Sequence, residues 1–378
     1  MTAARRTGVA LVGCGNIAGP YAADLAGYPD IELCGVWDRH PERAEALAAA
    51  HGTHAYRSYA HLLEDDRVAI VVNLTGHAAH HEMTARALRA GRHVHSEKPL
   101  ALTSAEARHL VELAETHRVR LSCAPANFLG DAALTVERQI LDGRLGTVRM
   151  IYAEANWGRI ESWHPSPEGF YRVGPLWDVG VYPLTLAVAL FGPVRRVAAQ
   201  GAVLHPDRFR ADGSAFRVEA HDWITAVVDL DSGARMRLTA SFYTPQHSRQ
   251  RGMEFHGDAG SLYLSDWQRF DADVEHAEAD GPVRAVPPLR EPVFPGIEWG
   301  RAVRLLAQDI REDRPHRTSG ERAAHLVAVL EAIDESWGGR ETGAPKQKKG
   351  AKPTEKSQTP RTLTTHRPSP PPPPPPPP

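Results

Sequence analysis

Residues 8–18 read Gly8-Val9-Ala10-Leu11-Val12-Gly13-Cys14-Gly15-Asn16-Ile17-Ala18. The apolar run Gly8–Val12 has the length and content of a buried strand, and Ile17–Ala26 has those of a helix. Between them lies a Gly-x-Gly-x-x-Ala turn, and its position between strand and helix makes it informative. Gly13 permits the tight turn, Gly15 lets backbone come close to a pyrophosphate, and Ala18 takes the third place, where helix and strand pack closely. The helix that begins near Asn16 and Ile17 would face the phosphates with its partial positive charge.

The next run, Ile31–Trp37, ends at Asp38, where a carboxylate accepts hydrogen bonds from both adenosine ribose hydroxyls and repels a 2′-phosphate. That favours NAD as cofactor. Arg39 beside it leaves NADP open, since a guanidinium can swing over a 2′-phosphate or stay solvated. Further strands are expected at Val68–Asn73, His93–His95 and Arg120–Cys123, and helices at Pro41–Ala50, Ala79–Ala90 and Ser104–His117. Pro41 suits a first helical turn, Ser104 an N-cap and Gly91 a helix stop. Such alternation over residues 1–125 is that of successive parallel βα units, a Rossmann NAD(P)-binding domain in the α/β class.

Residues 126–340 read differently, as an α+β domain with an open, mostly antiparallel sheet. Ala132–Leu141 is amphipathic, a Trp- and Gly-rich segment follows, and the alternating runs Trp223–Leu230 and Ala234–Phe242 flank the turn Asp231-Ser232-Gly233. Such alternation marks strands with one covered face. Glu298–Glu312 and Gly320–Trp337 return to helical periodicity. Residues 341–378, rich in Lys and Pro and ending in Pro370–Pro378, lack the apolar content to fold and are expected to be disordered. A polyproline II ligand for a partner domain is the alternative use of that segment.

The formal net charge is −2 and the pI near 6.9. From Ala344 onward seven Lys or Arg face one acid, so that segment is about +6 and the rest about −8. An acidic body gives no reason to expect nucleic acid as partner. Cys14, Cys34 and Cys123 fall on apolar runs without paired spacing, as reduced thiols in a cytoplasmic protein do. No stretch reads as a signal peptide or a transmembrane span, so no membrane partner is expected. Among the twenty histidines, His77 and His81 are spaced for one helical face, but no carboxylate completes a ligand set, and no metal is expected.

Glu97-Lys98-Pro99 follows the strand at His93–His95, at the carboxyl edge of the parallel sheet, where such sheets bind ligands. Together with the glycine-rich turn, Thr75 and His80 after Val68–Asn73, and Asp178-Val179-Gly180-Val181-Tyr182, it carries a resemblance. From about Gly8 to Trp337 the chain resembles the Gfo/Idh/MocA oxidoreductases, in the branch of glucose–fructose oxidoreductase and dihydrodiol dehydrogenase. The resemblance implies that Thr75, His80, Glu97 and Asn127 border the cofactor and that Lys98 sits beside the nicotinamide and contacts substrate. It also makes Tyr182 the general acid or base. A lysine partly desolvated near a nicotinamide is expected to have a lowered pKa, and its cation would in turn help Tyr182 ionise. Asp178 would orient a substrate hydroxyl or Lys98, or else cap a helix start.

Asn127, Trp163 and His164 are weaker substrate candidates. An indole or imidazole there could stack on a sugar face, or merely pack. Gly76, Gly174-Pro175 and Thr185 depart from the family pattern, and Thr185 argues against an inositol dehydrogenase. The expected reaction is hydride transfer between NAD or NADP and a sugar, polyol or cyclic diol, in a homo-oligomer joined through the open sheet. Two rivals share the fold: an NAD-dependent glycosidase and a non-catalytic NAD(P)-sensing regulator.

Overall fold

Strands β1 (Thr7–Val12), β2 (Ile31–Trp37), β3 (Ile70–Asn73), β4 (His93–Ser96) and β5 (Leu121–Cys123) form an all-parallel sheet in the order β2-β1-β3-β4-β5. The structure is a computed structural model that describes residues 6–338 apart from Gln246 and Pro292. The proline-rich segment 341–378 lies outside the described residues. Helices α1 (Ala18–Gly27), α2 (Pro41–His51), α3 (Tyr59–Glu64), α4 (His80–Arg89) and α5 (Ser104–His117) connect these strands. Val9 to Val12 are wholly buried, which is why β1 is continuously apolar rather than alternating. The strand order reverses between β1 and β3, so a ligand crevice opens at their carboxyl ends.

Local capping differs in detail from expectation. Thr103, one residue earlier than Ser104, caps α5 by accepting a hydrogen bond from the Glu106 amide. Gly91 stands just past the end of α4 with φ +72°, the left-handed conformation that lets a helix stop. The six-residue α3, capped by Ser58, was too short to show a periodic pattern. Cys14 lies in the turn rather than on a strand, and burial, followed by the Asp38 charge, pushes its thiol up to about 12.

The second half begins with α6 (Asp131–Leu141) and β6 (Val148–Asn156). Next come α7 (Glu168–Pro175), a π-helical turn (Leu176–Gly180) and α8 (Val181–Phe191). Then β7 (Val194–Ala202), the hairpin β8 (Asp207–Phe209) and β9 (Ala215–Arg217), β10 (Trp223–Leu230) and β11 (Arg235–Ser241) follow. The sheet strands end with β12 (Gly252–Gly257), β13 (Gly260–Leu264), β14 (Val274–Glu278) and β15 (Arg284–Ala285), ahead of α9 (Arg301–Arg311) and α10 (Gly320–Gly338). Eight of these strands form a sheet in the order β15-β14-β13-β12-β6-β11-β10-β7, antiparallel except for the pair β6–β11. Alternating burial along β10 and β11 leaves one face open, with Met150 and Val227 among its exposed apolar side chains.

The last helices tie the halves together. Val303, Leu306 and Ala307 of α9 join the core of Val9, Leu11 and Ala22, while α10 packs against both α5 and β7. The helical run Glu168–Phe191 corrects one expectation, being long and apolar enough to cross a membrane. It is mostly buried within the fold, where a core helix has the same composition.

Candidate active site

The glycine-rich turn is shaped as a cradle. Gly13 has φ +94°, and a Cβ there would come within 2.7 Å of the Leu74 carbonyl and the Thr75 amide, so the turn can lie against the Leu74–Thr75 backbone only because this residue is glycine. Around Gly15 a Cβ would meet nothing within 4 Å, which leaves backbone open to a phosphate. Asn16 is exposed and Ile17 half-buried at the start of α1. The Asp38 carboxylate accepts the Cys14 amide at 2.7 Å and the His40 amide at 2.8 Å, and so braces the turn across the β1–β2 edge. A cleft of about 670 Å³ runs from here past Arg39, Thr75 and His77 to Phe170 of α7. Its length, glycine floor and helix N-terminus fit a dinucleotide.

The histidines divide differently from expectation. His80 is wholly buried and does not face the cleft; its Nδ1 meets the Pro99 carbonyl at 2.6 Å and its Nε2 the Thr75 carbonyl at 2.8 Å. It props the two loops that form the cleft wall. His77 lies in a short turn before α4 and lines the cleft instead. Burial, together with the nearby Lys98 ammonium, brings the His77 imidazole down to about 4, so it is neutral. His81 hydrogen-bonds His109 at 2.9 Å, so the two histidines spaced for one helical face go to different places.

At the carboxyl end of β4, Lys98 donates to the Asp178 carboxylate at 2.8 Å and to the Asp178 carbonyl at 2.7 Å. The chain reaches this geometry through Gly174, whose φ of +80° breaks α7, so that the following π-turn carries Asp178 inward. Asp178 is therefore a buried counter-ion and not a helix cap. The consequence corrects the expectation for Lys98. Burial opposes its charge, but Asp178, with Tyr182 and Glu97 behind it, outweighs burial and holds the ammonium above its ordinary value.

Tyr182 stands in the first turn of α8, its ring 5.2 Å from the Lys98 ammonium and 5.3 Å from the Trp267 ring. Burial pushes its hydroxyl up to about 12, with Lys98 working the other way. Asn127 fixes this wall, since its Nδ2 donates to the Tyr182 carbonyl at 3.1 Å and the Trp267 carbonyl at 2.6 Å. Its Oδ1 is a buried acceptor without a hydrogen-bond partner among the described residues. Trp163 and His164 are not brought to this wall. They meet Phe170 edge to face at 5.6 and 5.0 Å, and Phe170 is the member of the trio that lines the cleft.

Residues 7–124 match the model of an oxidoreductase family with an NAD-binding Rossmann fold, and residues 133–263 match the C-terminal domain of the same family. The chain belongs to the Gfo/Idh/MocA oxidoreductases. It is 31% identical to dTDP-3,4-didehydro-2,6-dideoxy-alpha-D-glucose 3-reductase of Streptomyces violaceoruber, over 88% of this chain and 94% of that protein. To trans-1,2-dihydrobenzene-1,2-diol dehydrogenase of Oryctolagus cuniculus it is 27% identical, over 61% of this chain and 68% of that protein. Among solved structures, an NAD binding oxidoreductase from Klebsiella pneumoniae superposes with a TM-score of 0.78 at 25% identity, covering 89% of this chain and 98% of that one.

As a Gfo/Idh/MocA protein the chain is an NAD(P)-dependent oxidoreductase. Within that frame the structure adds residues to which motif reading gave no cofactor or substrate role: His77, Tyr21, Gln268 and Trp267. Tyr21 carried a faint signal, because it lies three residues after Ala18 on the buried face of α1, where a phenol must find a partner. The other three come from loops with no pattern. Thr185, which departs from the family pattern, donates back to the Val181 carbonyl at 2.7 Å within α8.

Asp38→Ser should weaken NADH binding about tenfold, since a charged acceptor is lost, and should narrow the preference over NADPH. Fluorescence titration with both reduced cofactors checks this, and an unchanged ratio of the two constants would remove Asp38 from cofactor selection.

Proposed function

We propose that this chain reduces a ketone on a sugar or related cyclic polyol, and oxidises the matching alcohol in reverse, with Tyr182 and Lys98 managing the oxygen and its proton. The observation that carries this reading is the buried Lys98–Asp178 pair with Tyr182 alongside, the ammonium near enough to bear on the charge of His77, which lines the cleft shaped for a dinucleotide. Gly13, Gly15, Asp38 and Thr75 would hold the cofactor. When bound, NAD(P) supplies or removes the hydride at its nicotinamide. Lys98, held cationic by Asp178, polarises the substrate oxygen as a fixed hydrogen-bond donor. Tyr182, a neutral phenol near pH 7, gives that oxygen its proton during reduction and takes it back during oxidation. The keto-sugar reductase that matches most of this chain supports a carbonyl on a sugar ring as the substrate class.

In the same reading residues 1–125 hold the cofactor, and residues 126–340 hold the substrate and carry a self-association face on the open sheet. Three unpaired thiols favour the reducing cytoplasm.

A pH signature follows. Tyr182 must be protonated for reduction, so that rate should be flat through neutrality and fall only as the phenol ionises in alkali. Oxidation needs the ionised form and should climb with pH instead. Lys98 stays charged throughout, because its pKa is raised. Paired pH–rate profiles test this, and an oxidation rate that falls with rising pH would count against Tyr182 as the proton carrier.

The deciding experiment is a titration with NADH and NADPH, followed by assays with keto sugars, polyols and diols. Turnover supports the proposal. Glycoside cleavage with the cofactor retained and unchanged would favour the glycosidase, binding without chemistry would favour a sensor, and no binding would end the reading.

A further inference from the structure

Behind the active site runs an unbroken chain of buried polar side chains. Glu97 accepts the Tyr21 hydroxyl at 2.9 Å, and that hydroxyl lies 3.3 Å from His95 Nε2. His95 Nδ1 lies 2.8 Å from Ser122 Oγ, which is 2.6 Å from Thr318 Oγ1. Tyr21, His95, Ser122 and Thr318 are all buried, Thr318 the least so of the four at 5% exposed, and it lies between α9 and α10 at the β5 edge of the parallel sheet. At the inner end, Glu97, Tyr21, Asn127, Gln268 and Tyr182 border one cavity of about 30 Å³. Pro125, Phe270, Ile297 and Trp299 line much of the rest of it, and it has room for about one water, which the polar groups at this end would hydrogen-bond.

From this geometry we infer that Glu97, Tyr21, His95, Ser122 and Thr318 form a proton relay that connects Tyr182 to the surface at the β5 edge. The inference rests on the proposed oxidoreductase reaction. The orientation of the hydrogen bonds supports it, since only one arrangement satisfies every member. The Glu97 carboxylate can only accept; Tyr21 O–H therefore points to it, His95 Nε2–H to Tyr21, Ser122 O–H to His95 Nδ1, and Thr318 O–H to Ser122. Burial keeps the His95 imidazole neutral, its pKa brought down to about 3, so it carries one proton and one open acceptor.

Lys98 is no substitute source. Its ammonium is committed to Asp178 by two hydrogen bonds and held in its charged form. Once cofactor and substrate fill the cleft, Tyr182 needs another route to solvent.

The balance during carbonyl reduction is simple. The hydride adds to the substrate carbon, and the substrate oxygen takes the Tyr182 proton. The Glu97 carboxylate carries no proton of its own and first takes one from Tyr21, as Tyr21 draws on His95, His95 on Ser122, Ser122 on Thr318 and Thr318 on solvent; the Glu97 carboxyl then passes that proton across the cavity to the Tyr182 phenolate. One solvent proton is consumed per alcohol formed. Between turnovers the hydroxyls rotate and the imidazole exchanges tautomer, and in alcohol oxidation the hops run in reverse.

The test uses Ser122→Ala and Tyr21→Phe in the full chain, with wild type as reference and a substrate that wild type reduces. Both variants break the relay, the first far from the reacting atoms. With the relay broken, kcat for reduction falls about tenfold. The solvent deuterium isotope effect rises, the isotope effect from deuterated cofactor shrinks, and NADH affinity in Ser122→Ala stays within about twofold. If wild type turns over and both variants keep its solvent isotope effect, the relay is overturned while the oxidoreductase reading stands. The same holds if both variants lose stability and cofactor affinity together with rate, because that marks a structural role. If wild type shows no turnover on any carbonyl or alcohol, both readings fall together.

Discussion

Lys98→Met is expected to lower kcat/KM by about 10³-fold, close to 4 kcal/mol of transition-state stabilisation, in both reaction directions. Two effects combine. In the proposed reaction the substitution removes the fixed cation that would meet the developing charge on the substrate oxygen. It also strands Asp178, whose carboxylate is 11% exposed and loses its only ion-pair partner among the described residues. A buried carboxylate without a partner is costly, so the apparent stability should fall by a few kcal/mol. Asp178→Asn in the Lys98→Met background should recover stability but not activity, because it relieves the stranded charge and leaves the cation missing. Steady-state kinetics and thermal denaturation of the two variants check this. Activity regained along with stability would show that Lys98 serves only to hold the π-turn.

Tyr182→Phe is expected to lower kcat by about 10²- to 10³-fold while NADH affinity stays within about twofold of wild type. The change removes one oxygen and keeps the ring that packs 5.3 Å from Trp267, so the wall of the site should survive. The alkaline rise in the oxidation profile should vanish with the hydroxyl, since Tyr182 is the group whose ionisation produces it. Loss of rate with an unchanged pH profile would move the proton role to another group, with His77 first among the neighbours to test.

How much of this could be read from residue order is clear at particular positions. The helix expected at Ser104–His117 is found with those bounds, and the strand at Ile31–Trp37 likewise. Both have strong local periodicity and firm stops. The glycine-rich turn was legible for the same reason, since φ requirements and close approach act on residues adjacent in the chain. The direction of the Lys98 pKa was not. Its counter-ion is eighty residues away, on a turn whose inward swing depends on the break at Gly174. A motif can name both residues without showing that one neutralises the effect of burial on the other. The place beside the cleft expected of His80 likewise belongs to His77, because three residues of offset on a short turn decide which ring faces the cleft.

Residue order alone settled the parallel βα framework and the glycine-rich cradle, because each rests on local periodicity or local backbone geometry, and it singled out Lys98, Asp178 and Tyr182 through motifs that resemble those of the family. Only the tertiary structure settled that Lys98 stays charged, that His77 lines the cleft and that Tyr21, His95 and Ser122 join behind Glu97. Electrostatics and hydrogen bonding act through space over a few ångströms, and the groups concerned come from strands, helices and loops far apart in the chain.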